Sequence, residues 1–129
     1  MNTGLALIAV GSGGALGAVL RYLATAFFTQ RYGPGFPFGT LFVNMTGCLL
    51  IGILAEVIQT RAMEAAPFVR LFLLVGVLGG YTTFSSFAYE NVTLLSEGAA
   101  GLALVYAAGS VLGGTAATFA GIVLVRLLP

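Results

Sequence analysis

Between Gly76 and Glu90 the chain reads GVLGGYTTFSSFAYE, directly after the apolar run LFLLV. Thr82, Thr83, Ser85 and Ser86 supply hydroxyls, Phe84 and Phe87 supply rings, and Glu90 supplies a carboxylate. Hydroxyls can donate to an anion, and the edge of an aromatic ring carries partial positive charge. Hydroxyls and helix-weakening glycines are unusual in the middle of a lipid-facing segment. In GTLFVNMTG, Thr40, Asn44 and Gly47 share one helical face at i, i+4 and i+7 spacing. The Asn44 amide offers two N–H donors, either to an anion or to a neighbouring membrane helix. Tyr106, Ser110, Gly114 and Thr118 recur every four residues as one slanted stripe, three of them with hydroxyls. A lone hydroxyl could bond the carbonyl four residues back. A stripe of three, facing four more on another helix, reads as the lining of a path. Arg21, in LRYLA, lies well along the first apolar stretch. At membrane depth an arginine costs about 2.5–3.5 kcal/mol on insertion scales and marks a functional site; near a helix end it snorkels to water.

Several chemistries are excluded by residue type. There is no histidine, and the single cysteine, Cys48, sits inside an apolar run. Zinc sites, Cys–His catalysis, a Ser–His–Asp set and an intrachain disulfide therefore lack their parts. Lysine is also missing, which removes Ser–Lys catalysis, and no Walker-type phosphate loop occurs. Neither an enzyme nor a nucleic-acid partner is expected.

The elements that must position these groups are membrane helices. Of 129 residues, 59% are hydrophobic and only 7% charged, and the mean hydropathy is +1.06. A bilayer core about 30 Å thick needs about 20 residues of helix. Four stretches qualify, near 4–29, 38–59, 68–95 and 99–127, forming an all-α membrane protein with one domain over 1–129. The first lacks a cationic head and is expected to be a retained span. Pro34, Gly35 and Pro37 stop any helix between the first two spans; Arg61 and Glu64 mark the next link as solvated, and Pro67 suits a helix start. The last link, around Ser96 to Ala99, is tight.

All five basic residues are arginines. Arg61, Arg70 and Arg126 fall on one side, Arg31 and Arg21 on the other, so the positive-inside bias is weak. This allows either a cytoplasmic N-terminus or insertion in both orientations. Gly13 and Gly17, Gly76 and Gly80, and Gly109 and Gly113 have the spacing that lets membrane helices approach closely. Four helices leave little room for an enclosed polar path, which favours a homo-oligomer.

GGALGAVLRY (13–22), GTLFVNMTG (39–47) and GVLGGYTTFSSF (76–87) resemble, in order and spacing, the three signature segments of the Fluc (CrcB) family of fluoride channels. The resemblance spans essentially the whole chain and implies passive, fluoride-selective conduction that lowers cytoplasmic fluoride, in a multi-pass protein of the bacterial inner membrane. It further implies an antiparallel, dual-topology homodimer in lipid, with two pores at the interface and a break in the third helix. A structural, untransported Na+ at the dimer centre would be held by the Gly79 and Thr82 carbonyls. Phe84 and Phe87 would flank the fluoride path with Asn44 beside it, together with Thr40 and Ser86. Tyr106, Ser110 and Thr118 would form a polar track, and Arg21 and Glu90 would face a vestibule. Ser86 stands where the family often has threonine, and Gly114 where the track can carry serine.

A different class, a dual-topology proton-coupled small multidrug transporter, would need a carboxylate at membrane depth. The first span has none, and Glu56 and Glu90 are expected near helix ends in contact with solvent. A purely structural membrane subunit would leave the hydroxyl stripes without a purpose.

Overall fold

The computed structural model describes residues 2–60 and 67–128. Arg61 and Glu64, read as a solvated link, lie outside the described residues. Among the described residues, four spans are long and apolar enough to cross a membrane: Thr3–Tyr32, Phe38–Thr60, Pro67–Ser96 and Ala100–Leu127. They match the expected four to within a few residues at each end.

Helix α1 (Thr3–Tyr32) opens on Asn2, whose side chain accepts from the Leu5 N–H, and closes on Gly33 at φ 78°. That left-handed conformation is available to glycine at little cost and ends the helix before Pro34. Helix α2 (Phe38–Thr60) follows the short Gly33–Pro37 link. The third span is composite. A first turn, α3 (Pro67–Arg70), begins on the proline expected there. The chain then runs as a π-helix over Leu71–Leu78, regains α geometry in α4 (Gly79–Tyr81), and resumes as α5 (Phe84–Ser96). Gly98, at φ 77°, turns the chain into α6 (Ala100–Leu127).

Leu7, Val19, Leu104 and Leu112, on the long helices, stay mostly exposed. In water that would be a liability; in lipid it is the outer wall. Cohesion must therefore come from close packing, because hydrocarbon supplies no hydrophobic drive between helices. Gly13 and Gly17 of α1 meet the third span at Phe72, Gly76 and Val77, while Gly76 and Gly80 face Gly13 and Gly14 in return. Two of the three glycine pairs legible in the sequence are thus each other's partners. The third is not: Gly109 has open space around it, and Gly113 faces the Met45 sulfur. The α2–α6 seam uses glycines outside those pairs, Gly52 against the Thr118 backbone and Gly121 against the Leu49 backbone.

A Cβ at Gly17 would collide with the Val77 carbonyl oxygen and sit 2.8 Å from the Tyr81 nitrogen. Both obstacles are backbone and cannot rotate away. Gly17→Ala is therefore expected to push α1 off the third span, at a cost of about 1–3 kcal/mol. Loss of monodisperse protein on size exclusion, with Gly109→Ala unaffected, is the expected result.

Candidate functional site

The third span carries its hydroxyls at a joint between two helices. Thr82 (φ −82°, ψ 158°) and Thr83 (φ −151°, ψ 125°) are extended between α4 and α5. The joint falls after Gly79 and Gly80 and not on them. Gly80 is spent on the close approach to Gly14, and Gly79 remains helical. Thr83 is the N-cap of α5: its Oγ1 accepts from the Ser86 N–H at 3.2 Å. Threonine is among the residues that serve well at an N-cap. The hydroxyl of Thr83 also donates to Ser86 Oγ at 3.1 Å.

Asn44 of α2 meets this joint. Its Oδ1 accepts from the Thr83 N–H at 2.8 Å, and its Nδ2 donates to the Thr83 carbonyl at 3.0 Å. One of the two amide N–H groups is thereby taken by the interhelical bond, and the other is left uncommitted. Arg21 of α1 is half-buried and donates from Nη1 to the Thr82 carbonyl at 3.2 Å.

An open cavity of about 420 Å³ lies against the joint. Of the residues singled out above, it gathers Asn44, Gly79, Thr82, Phe84, Phe87 and Ser110, with Cys48, Leu78 and Val111 completing much of an apolar wall. Phe84 is 78% exposed, and its ring lies 5.6 Å from that of Phe87. Phe87 is set more deeply, 5.1 Å from the Tyr106 ring and against the cluster of Leu94, Ala103 and Tyr106. Ser110 Oγ is buried without a hydrogen-bond partner, the one such side-chain atom among the described residues. A buried hydroxyl left unpaired costs about 1–3 kcal/mol.

The remaining polar residues stand elsewhere. Tyr106, 1% exposed, donates to Glu90 Oε2 at 2.7 Å, and Thr40, 3% exposed, donates to Glu90 Oε1 at 2.6 Å. Glu90 is thus tied to α2 and α6 by two hydroxyls rather than standing free in solvent near a helix end. Glu56 departs from expectation in the same way. It is 5% exposed and accepts from Arg126 Nε at 2.7 Å, across 70 residues of sequence. Thr118 donates to the Cys48 carbonyl at 3.0 Å, which commits its hydroxyl to the α2–α6 seam. Gly114 is buried against Cys48 Sγ, and Thr115 Oγ1 bonds the Val111 carbonyl of its own helix. Of the α6 stripe, only Ser110 presents an uncommitted hydroxyl.

No cluster of carboxylate, thiol or imidazole groups able to hold a metal occurs among the described residues. Carbonyl oxygens are the alternative, and they suit a hard cation. In an unbroken helix the Gly79 and Thr82 carbonyls would accept from the N–H groups of Thr83 and Ser86. Those donors are diverted to Asn44 Oδ1 and Thr83 Oγ1. Nothing lies within 4 Å of the position a Cβ would take on Gly79. The Thr82 carbonyl accepts from Arg21 and keeps a second lone pair. The two carbonyls are thus of the donor type that a hard cation takes.

A model of the CrcB family, described as "CrcB-like protein, Camphor Resistance (CrcB)", matches residues 8–122. A protein of Rhizobium meliloti (strain 1021) named "Fluoride-specific ion channel FluC" is 52% identical over 122 residues, covering 95% of this chain and 97% of its own. Proteins of the same name from Agrobacterium fabrum and Chloroflexus aurantiacus are 48% and 46% identical, over 92% and 93% of this chain and 94% of each of theirs. With a family match over most of its length and relatives of this identity, the chain belongs to the CrcB family.

Proposed function

We propose that this chain forms a fluoride-selective channel, a multi-pass membrane protein and not an enzyme, which conducts F− passively and lowers cytoplasmic fluoride. The observation that carries the reading is the cavity at the α4–α5 joint. Asn44, with one N–H to spare, Ser110, whose buried hydroxyl is unpaired, and the two phenylalanines all line it. Fluoride is small and strongly hydrated, so a selective path must replace its water with donors in a narrow space. An amide, a hydroxyl and positive ring edges do this without a titrating group. A negative-inside potential drives the anion outward with about 2.3 kcal/mol per 100 mV. The substrate is fluoride that enters the cell as neutral HF and dissociates inside.

The cavity is open on one face of the subunit, and the Phe84 ring stands exposed at it. This supports a second copy closing the path, in an antiparallel dual-topology homodimer surrounded by lipid. The Gly79 and Thr82 carbonyls of each copy would hold a structural Na+ at the centre, where a fixed positive charge offsets the carbonyl dipoles of the two joints. Phe84, Phe87, Asn44 and Ser110 line the fluoride path. Thr40, Tyr106 and Glu90 form a hydrogen-bonded set beside it, Ser86 supports the α5 cap, and Thr118 braces the α2–α6 seam.

The multidrug-transporter reading is not favoured. Such a pump trades protons at a free carboxylate in the membrane, whereas Glu56 is paired with Arg126 and Glu90 is held by two hydroxyls.

Purified protein in liposomes loaded with fluoride or chloride tests the function. Fluoride is expected to leave rapidly under an imposed potential while chloride stays. Retained fluoride, or drug uptake driven by a proton gradient, would overturn it. In cells, a C-terminal tag on active protein is expected to be reachable from both sides of the membrane; labelling from one side alone would remove the antiparallel dimer.

A further inference from the structure

Extended backbone at membrane depth persists only where protein groups satisfy it. At Thr82 and Thr83, the two extended residues of the α4–α5 joint, all four polar backbone groups have a partner. The Thr82 N–H donates to the Leu78 carbonyl at 3.0 Å, the only one of the four bonds made within the backbone. The other three groups are held by side chains from other helices: the Thr82 carbonyl by Arg21, and the Thr83 N–H and carbonyl by Asn44. The single peptide group between Thr82 and Thr83 is therefore gripped at its C=O from α1 and at its N–H from α2.

We propose that Arg21 is a positioning residue, which with Asn44 clamps the Thr82–Thr83 peptide at both ends and so sets the direction in which α5 presents Phe84 and Phe87. The inference rests on the fluoride-channel reading. Its leverage is geometric. Phe84 is the first residue of α5 and directly follows the clamped peptide, so a small rotation there swings the whole helix and both rings. Arg21 suits the task because its guanidinium is always charged and donates several N–H groups from a rigid plane. A charge-assisted bond to a carbonyl in a poorly solvated place is stronger than a neutral one. A snorkelling arginine would turn to water; this one is half-buried, bonded 61 residues away in sequence. An arginine serving only to attract the anion would act through its charge, and lysine would replace it.

The test uses full-length protein carrying 4-fluorophenylalanine at position 84, read by 19F NMR alongside fluoride efflux from liposomes. Arg21→Met is expected to shift or split the resonance and to slow efflux at least about tenfold. Arg21→Lys, which keeps the charge on a shorter reach without the planar fork, is expected to reproduce the altered resonance. If Arg21→Met does not yield monodisperse protein, Arg21→Gln takes its place. An unchanged resonance in the neutral variant overturns the clamp whatever happens to efflux, as does a changed resonance with wild-type efflux. Full rescue of both readouts by lysine also overturns it, since charge alone would then suffice. Failure of the unsubstituted protein to release fluoride would instead overturn the channel reading, leaving the clamp to be judged by the resonance.

Discussion

Asn44→Asp is expected to cut fluoride efflux by about a hundredfold or more. The substitution keeps the shape of the side chain and the acceptor oxygen that receives the Thr83 N–H. It removes the Nδ2 donor, which binds the Thr83 carbonyl at 3.0 Å and has one N–H to spare for the cavity. A second carboxylate oxygen then faces a carbonyl oxygen on one side and the anion on the other. Two effects of about 1.4 kcal/mol each, a lost donor and a repulsion in low dielectric, already amount to a hundredfold. The substitution leaves the glycine seams between the helices untouched, so the protein is expected to remain assembled on size exclusion. Efflux measured on the same preparation decides the matter. Wild-type flux in Asn44→Asp would reduce Asn44 to a packing residue.

Phe84→Ile is expected to slow fluoride efflux about tenfold without disturbing the subunit. The ring is 78% exposed at the open face of the cavity, so little intramolecular packing is lost. What disappears is the positive ring edge, which an aliphatic group of similar bulk lacks. Phe87→Ile is expected to slow efflux as strongly but to carry a further stability cost of about 1 kcal/mol. That ring packs on Tyr106 and the Leu94–Ala103 cluster. Phe27 and Phe119, both exposed on α1 and α6 and absent from the cavity lining, serve as controls and are expected to tolerate isoleucine. Thermal unfolding in detergent separates the two Phe84 and Phe87 outcomes. Equal, mild effects on efflux at all four positions would mean the rings only fill space.

The four spans, the helix-stopping prolines and the glycine pairs of α1 and the third span were legible in the sequence alone, although not that these pairs meet each other. Each depends on residues close together along one helix, where about 20 apolar residues or a four-residue glycine spacing is sufficient cause. Family membership was legible for a related reason, since three contiguous segments carry it. The partners of the polar groups were not legible. The resemblance implied a break in the third helix, and only the structure puts the joint on Thr82 and Thr83 rather than on Gly79 and Gly80. Glycine only lowers the cost of leaving a helix. What stabilises extended backbone in a membrane is a set of donors and acceptors, and those arrive from Arg21 and Asn44, 61 and 39 residues away. Glu56 and Glu90 read as solvated because charge is expected near water; Arg126, Thr40 and Tyr106 make burial tolerable instead. The α6 stripe showed three hydroxyls at one spacing. Only packing decided that Thr118 and Tyr106 spend theirs on other helices while Ser110 keeps its own. Helical period is a property of consecutive residues, whereas the satisfaction of a polar group in lipid depends on which distant side chain reaches it.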